Sequence, residues 1–345
     1  MEEFDNGLEK KWDYDMKTPI HSEVPVEKLK KFLKSEDVLI FYGGEPLIML
    51  DKIKKIIDNV DCRFMIQTNG MLLDKIPKNY LMKLEKMLVS IDGTKEKDSS
   101  TKGPTHYDKI ISNLKEIRSK GYKGEIVARM VITEGDVYEQ VMHLVELINK
   151  GFFDSVHWQI DAGFYKNDFD LEKFSKFVKE YNDSIDELLD FWIKELDKGK
   201  VWKFYPFLGI LARLMGWDNN KKLPCGAGHS NFSINTKGDL SACPIMNSVK
   251  NLYCGDIEKG ITREREISGC NTCKYLKVCG GRCLYWREAK LWPKEGDDLI
   301  CETIKHLIDG IREKVVPKVK QFLESGKVKK EDFDFEKYFG PEIIP

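Results

Sequence analysis

The chain has 345 residues, 41% of them hydrophobic, which is enough for one large domain or two ordinary ones. Its 56 lysines and arginines nearly balance its 57 aspartates and glutamates, so it lacks the charge bias of proteins that bind nucleic acid or anionic membranes. No stretch is apolar for long enough to span a bilayer, and the N-terminus, MEEFDNGLEKKWDYD, is too polar and acidic for a signal peptide. We therefore expect a cytoplasmic protein with no nucleic-acid or membrane partner.

The first half of the chain alternates strand-like and helix-like segments. The predicted strands are 38–43, 63–70, 86–93, 125–133 and 155–163, and the predicted helices are 45–60, 77–85, 106–120 and 136–150. Apolar strands separated by amphipathic helices indicate an α/β fold with a parallel sheet, and five such units in a row favour a barrel or a partial barrel.

The second half has a different pattern. Residues 170–199 and 206–216 are predicted helices, residues 231–244 a hairpin, and the chain ends in a helix from about 302 and a polar tail. The loop-rich region from Cys225 onward can bury little core, so we expect it to depend on metal for its order. This predicts a partial barrel over 1–205, a cysteine-rich domain over 206–310, and a C-terminal helix and tail over 311–345.

Polar residues and glycines follow each predicted strand, where parallel barrels carry their chemistry. They are Gly43-Gly44-Glu45-Pro46, Thr68-Asn69-Gly70, Ser90-Ile91-Asp92-Gly93, Arg129, and Gln159 with Asp161. Facing one mouth, these groups would suit a zwitterionic ligand that bears a ribose. Gly-Gly and Asn-Gly are also ordinary turn formers, and each alone is more often a loop than a site. An arginine such as Arg129 also pairs with neighbouring carboxylates.

The succession GGEP, TNG, VSIDG and an arginine-bearing strand resembles the radical S-adenosylmethionine (SAM) superfamily. The resemblance implies that the backbone of Gly43, Gly44, Glu45 and Pro46 binds the amino group of the methionine moiety of SAM. It implies that Ser90 and Arg129 hold the methionine carboxylate and the ribose, and it makes Asn69 and Asp92 further candidate contacts.

Nine cysteines in a cytoplasmic chain point to metal ligands, because a reducing compartment disfavours disulfides. Seven of them fall in the pattern Cys225-x17-Cys243, then Cys270-x2-Cys273-x5-Cys279-x3-Cys283, then Cys301. Thiolates suit iron–sulfur clusters or zinc, and a pair of zinc sites is the alternative, although only one Cys-x2-Cys knuckle is present.

This cysteine pattern resembles SPASM, the auxiliary-cluster domain that follows the barrel in peptide-modifying radical SAM enzymes. The resemblance implies two auxiliary [4Fe–4S] clusters, one held by Cys270, Cys273, Cys279 and Cys301, the other by Cys225, Cys243 and Cys283. The second set lacks a fourth cysteine. We expect an open iron site there, with His229 and Cys254 as the alternatives that fill it, and we expect Cys254 to be a structural thiol. Cys62 and His157 are interpreted as packing residues.

Radical SAM enzymes hold their SAM-cleaving cluster with a CxxxCxxC loop before GGEP, and this chain has no cysteine before Cys62. We expect a third, SAM-cleaving cluster only in a longer native chain. The alternative is a cluster-bearing electron-transfer or binding protein without radical chemistry. The chemistry that the family implies is one-electron reduction of SAM to methionine and a 5′-deoxyadenosyl radical, which abstracts hydrogen from the substrate.

The implied partners are a peptide or protein substrate and a reducing protein such as ferredoxin or flavodoxin, with an archaeal subgroup of peptide-modifying members as the nearest group. A further alternative is an anaerobic sulfatase-maturating enzyme. In that family the catalytic base is an aspartate directly after the second cysteine of the three-cysteine set. Pro244 occupies this position here, which argues against sulfatase maturation.

Overall fold

The computed structural model describes residues 12–161, 169–220, 222–265 and 270–336. Its first half forms a five-stranded sheet in which the strands follow one another in chain order. The strands are β1 (Val38–Phe41), β2 (Arg63–Thr68), β3 (Leu84–Ser90), β4 (Glu125–Ile132) and β5 (Ser155–Ile160). Strands β1 to β4 pair in parallel, so the predicted α/β class and its five strands are confirmed. Residues 162 and 163 of the last predicted strand lie outside the described residues.

Helices connect these strands. They are α1 (Val26–Phe32), α2 (Leu50–Asn59), α3 (Lys78–Leu81), α4 (Lys95–Lys102), α5 (His106–Ser119) and α6 (Val137–Asn149). In α2, Ile53, Ile56 and Ile57 are buried at the helical spacing that predicted this element. Helix α3 is shorter than the predicted 77–85 because the chain enters β3 at Leu84.

The second half is mainly helical around a small antiparallel sheet. Its helices are α7 (Leu171–Leu196), α8 (Tyr205–Leu214), α9 (Leu276–Cys279), α10 (Leu284–Ala289), α11 (Lys294–Gly310) and α12 (Val316–Glu324). Its strands are β6 (Ser233–Ile234), β7 (Asp239–Ser241), β8 (Tyr253–Asp256) and β9 (Gly260–Ile261). The predicted hairpin is therefore β6–β7, an antiparallel pair. The helix predicted to begin near 302 begins at Lys294 as α11, which places Cys301 inside this helix.

Contacts divide the chain into two compact units. One consists of Val24–Val131 and Glu139–Trp158, and carries most of the parallel sheet. The other consists of the chain before Val24, Ile132–Tyr138 and the chain from Gln159 onward, and carries the cysteine-rich region. The two units are defined by contacts within the chain. The three-part division drawn from the sequence stays a prediction.

The segment before α1 belongs to the cysteine-rich unit. Tyr14 forms a β-bridge with Val249, and the Asp15 N–H donates to the Ser248 carbonyl at 2.7 Å. Trp12 is 9% exposed and joins the hydrophobic cluster of this unit. Nothing in the local sequence signals this pairing, because the two partners lie more than two hundred residues apart.

Among the helices of the described residues, none combines the length and the hydrophobicity that a membrane span requires.

Candidate cofactor-binding sites

The GGEP turn follows β1 at the carboxyl edge of the sheet. Gly43 and Gly44 are exposed, and a side chain added at either position would meet no protein atom within 4 Å. The backbone at Gly43 and Gly44 is therefore open to a ligand, since both residues are exposed and carry no side chain.

The side chain of Glu45 is directed inward. Its carboxylate accepts hydrogen bonds from the Thr68 hydroxyl at 2.9 Å, the Asn69 N–H at 2.8 Å and the Leu47 N–H at 3.0 Å. This carboxylate thus fastens the turn after β1 to the turn after β2. The backbone of GGEP stays open, which matches the backbone role that the resemblance implies for it, and the Glu45 side chain shapes the turn.

Ser90 and Arg129 are brought side by side. They are register partners on β3 and β4. Burial lowers the pKa of Arg129, while the Tyr42 phenol and the Asp92 carboxylate act in the opposite direction, so both groups lie near the guanidinium. Tyr42, which directly precedes Gly43 and is 48% exposed, is a further residue at this edge. Its position next to the glycines is the one signal in the sequence that points to it.

Asp92 is almost fully buried and is held by protein groups. Its carboxylate pairs with the Lys102 ammonium at 2.6 Å and accepts from the Thr101 hydroxyl at 2.8 Å and the Val131 N–H at 3.2 Å. This arrangement ties the end of β3 to α4 and β4. A direct contact of Asp92 with a cofactor stays a prediction, while its contacts within the protein position the Ser90–Arg129 pair.

Behind these strand ends lies a buried contact between Asp98 and His106 that the sequence analysis missed. Asp98 accepts the Asp92 N–H at 3.0 Å and contacts His106 Nδ1 at 2.7 Å, and His106 Nε2 lies 3.1 Å from the Asn69 carbonyl. Oxygen atoms thus face both ring nitrogens of His106, which holds the imidazole at both ends. This pair links the turn after β2 to the turn after β3.

Four cysteines in the second unit share one pocket. Cys270, Cys273, Cys279 and Cys301 all line it, together with Arg282. Cys301 reaches the pocket from α11, whereas the other three come from the chain around α9. The structure thus brings together the four residues that the resemblance assigns to one cluster.

The remaining three cysteines form a second group. Cys225, Cys243 and Cys283 all pack against the same hydrophobic cluster. Burial raises the pKa of Cys243, and the nearby Cys283 and Cys225 thiols raise it further. Among the described residues, no three His, Cys, Asp or Glu side chains are arranged as a site for a single metal ion.

The sulfurs of both groups have backbone donors. Cys243, Cys279 and Cys283 each accept hydrogen bonds from the N–H groups two and three residues further along the chain. Burial raises the pKa of all three thiols, and these donors oppose that effect, which stabilises the thiolate that a metal requires. N–H donors to sulfur also tune iron–sulfur clusters. The donor set therefore fits thiolate ligands of a cluster.

The other candidate ligands have different surroundings. His229 is half-buried and its Nε2 contacts the Leu223 carbonyl at 3.1 Å. Cys254 is fully buried inside the hydrophobic cluster, in the manner of a structural thiol. Cys62 is half-buried at the start of β2, less enclosed than the core residue we expected, and burial raises its pKa to about 11. His157 is fully buried on β5, as expected for a packing residue.

Comparison with known proteins identifies the domain that carries the strand-end site. The sequence profile of the Radical SAM superfamily matches residues 12–148. The chain therefore carries a radical SAM domain, whose family uses SAM and [4Fe–4S] clusters.

Two named enzymes and one solved structure are similar to most of this chain. A cysteine-type anaerobic sulfatase-maturating enzyme of Clostridium novyi (strain NT) is 22% identical over 301 residues, covering 78% of this chain and 79% of that protein. The radical SAM cyclopropyl synthase TigE of Paramaledivibacter caminithermalis is 23% identical over 282 residues, which is 76% of this chain and 57% of TigE. The structure of anSMEcpe with bound AdoMet and the Cp18Cys peptide has the same fold, with a TM-score of 0.62 at 16% identity, covering 87% of this chain and 89% of anSMEcpe.

Proposed function

We propose that this chain is a radical SAM enzyme that modifies a peptide or protein side chain and carries two auxiliary [4Fe–4S] clusters in a SPASM domain. One observation carries the proposal: a chain with a radical SAM domain gathers seven cysteines into a set of four and a set of three. The peptide substrate is supported by the relatives, among them the cyclopropyl synthase and the sulfatase maturase.

At the strand ends, the residues of this chain would bind and orient SAM. The open backbone of Gly43 and Gly44 would receive the methionine amino group, and the Ser90–Arg129 pair would hold the carboxylate and the ribose. Glu45 and the Asp98–His106 pair would fix the turns on which these contacts depend. When bound and reduced, SAM supplies hydrogen abstraction, and the protein contributes positioning and exclusion of water.

In the cysteine-rich unit, Cys270, Cys273, Cys279 and Cys301 would ligate one cluster. Cys225, Cys243 and Cys283 would ligate the other, which leaves one iron without a cysteine ligand. Such an iron can bind a substrate group, and the His229 Nε2 contact with Leu223 together with the burial of Cys254 supports this arrangement. A ferredoxin- or flavodoxin-type protein would supply electrons.

The test is anaerobic reconstitution with iron and sulfide. We expect about eight iron and eight acid-labile sulfide per chain, as two [4Fe–4S] clusters require, with broad charge-transfer absorbance near roughly 400 nm. Cys273→Ser and Cys225→Ser should each lower the iron content by about half, while Cys62→Ser, outside both sets, should retain it. Zinc without sulfide would refute the cluster assignment.

Binding of SAM is tested by calorimetry, and its cleavage is tested by product analysis. Arg129→Met should weaken SAM binding at least tenfold, while Arg118→Met, a part-exposed arginine paired with Asp154, should not. Cleavage of SAM to methionine and 5′-deoxyadenosine is then assayed under strong reductant in two proteins. One is this chain, and the other is the same chain extended at its N-terminus by the in-frame codons upstream of the Met1 codon. Clusters without SAM binding in either protein would favour an electron-transfer protein.

Sulfatase maturation is the second candidate, favoured by the relative from Clostridium novyi. Pro244 follows Cys243 here, at the start of a 3-10 turn. In the maturase family this position holds the aspartate that acts as the base. Formylglycine formation on a cysteine-containing sulfatase peptide, read by mass spectrometry, separates this activity from other peptide modifications.

A further inference from the structure

Arg282 occupies a backbone conformation that favours glycine. It is the fourth residue of the sequence Cys279-Gly280-Gly281-Arg282-Cys283, in which all three middle residues have positive φ, of 70°, 103° and 70° in chain order. A side chain in this conformation is strained, and such strain persists where the residue has a function to serve. The loop has glycine at the first two positions and places a large cation at the third.

The Arg282 side chain is buried and its charge is only partly compensated. The residue is 4% exposed, and its guanidinium pairs with the Asp297 carboxylate. That carboxylate also accepts from Trp286 Nε1 at 2.8 Å and lies 3.8 Å from the Arg287 guanidinium. One carboxylate thus serves two guanidinium groups, which leaves a net positive charge at this place.

This charge lies beside both cysteine sets. Arg282 lines the pocket of Cys279 and Cys301, and it directly precedes Cys283 of the three-cysteine set. The same buried cation therefore lies next to ligands of both sets.

We propose that Arg282 is a shared counter-charge that favours the reduced states of both auxiliary clusters. The inference rests on the proposed function, because it concerns the clusters that the seven cysteines would hold. A one-electron reduction adds negative charge to a thiolate-ligated cluster, and the electron comes from a low-potential donor. A buried cation stabilises the more negative state, so it raises the reduction potential, as charge and hydrogen bonding around clusters are known to do.

The test is a potentiometric titration of the reconstituted full chain, followed by electron paramagnetic resonance. Arg282→Gln removes the charge, and Arg282→Gly removes both the charge and the backbone strain. In both variants we expect the ratio of reduced to oxidised cluster at fixed potential to fall about tenfold, which is a shift of about 59 mV for a one-electron couple. Arg282→Lys keeps a charge and should restore most of the potential.

A second variant shifts the potential in the opposite direction. Asp297→Asn removes the carboxylate but leaves Arg282 in place, so the ratio of reduced to oxidised cluster should rise. Lys290→Gly is the matched control, because Lys290 also has a positive φ, of 47°, but is exposed. Its removal takes away a cation and a strained residue together, and the potentials should not change.

The outcomes separate the two proposals. Absence of iron and sulfide from the unmodified chain refutes the proposed function, and the role of Arg282 falls with it. Full cluster content with unchanged potentials in Arg282→Gln and Arg282→Gly overturns the inference. If the Arg282 variants cannot retain clusters, Asp297→Asn decides: an unchanged or lowered potential there also overturns it.

Discussion

His106 links the turns after β2 and β3, because oxygen atoms face both of its ring nitrogens. Its partner, the Asp98 carboxyl group, is fully buried and is not solvated by water. Removal of one member of such a buried pair leaves the other without compensation, which costs far more than the loss of an exposed pair. The pair is therefore expected to be sensitive to single substitutions, and it contacts the backbones of Asn69 and Asp92, two of the candidate cofactor contacts.

We predict that His106→Phe lowers the free energy of unfolding by about 3–5 kcal/mol. The measurement is urea denaturation of the unit that contains the parallel sheet, followed by tryptophan fluorescence and circular dichroism. The control is the exposed pair of Lys95 and Asp108, 2.7 Å apart between the same two helices, where Lys95→Met should cost at most about 1 kcal/mol. Equal costs for the two substitutions would show that burial does not make the Asp98–His106 contact more important for stability than an exposed pair.

At the level of elements, the turns after β1 and β2 are one structural feature. The Glu45 carboxylate accepts three hydrogen bonds from the chain around β2 and from its own turn. Glu45→Gln keeps the size of the side chain but replaces an acceptor oxygen with an amide donor that faces N–H and O–H groups.

We therefore predict that Glu45→Gln weakens SAM binding about tenfold and lowers stability by about 1–3 kcal/mol, since a buried donor loses its acceptor. Thr68→Val removes only one donor and should cost less in both measurements. Titration calorimetry with SAM and thermal denaturation provide the two readouts. Unchanged SAM affinity in Glu45→Gln would show that the geometry of the turn does not depend on this carboxylate.

A second element-level feature is the segment before α1. Trp12 packs edge-on against Tyr14 and Tyr285, with ring centroids 6.3 Å apart in both cases. We predict that Trp12→Ala destabilises the cysteine-rich unit by about 3–5 kcal/mol, as loss of a core aromatic does. Limited proteolysis should then cleave this unit faster. Ile20→Ala, on the same segment but 92% exposed, should leave the cleavage rate unchanged.

The elements also show what the sequence could predict. Five strands and most of their helices follow from apolar periodicity, because each burial pattern repeats within a few residues. Helix α4 was missed because it has only one buried residue, Asp98, and begins with a Thr94 cap instead of an apolar repeat. The GGEP turn and the cysteine sets were predicted from short motifs, whereas Glu45, Asp98 and His106 act through contacts between distant parts of the chain that no local pattern encodes.

At the scale of the whole molecule, the two units differ in what stabilises them. The parallel sheet buries continuous apolar strands, among them Met87, Leu88 and Val89, which are fully buried. The cysteine-rich unit contains strands of only two to four residues. It also buries cysteine thiols such as Cys243, whose pKa burial raises. Metal binding supplies folding free energy in such a region.

We predict that removal of iron from the reconstituted chain by a chelator under reducing conditions loosens the cysteine-rich unit selectively. Hydrogen exchange should accelerate at least tenfold in β8 and α10, because both elements contribute residues to the hydrophobic cluster against which Cys243 and Cys283 pack. The amides of β2, β3 and β4 serve as the internal control and should exchange at the same rate before and after chelation. Equal acceleration in both units would mean that the metal supports the whole fold, and no acceleration in either would mean that the cysteine-rich unit is stable through its apolar cluster alone.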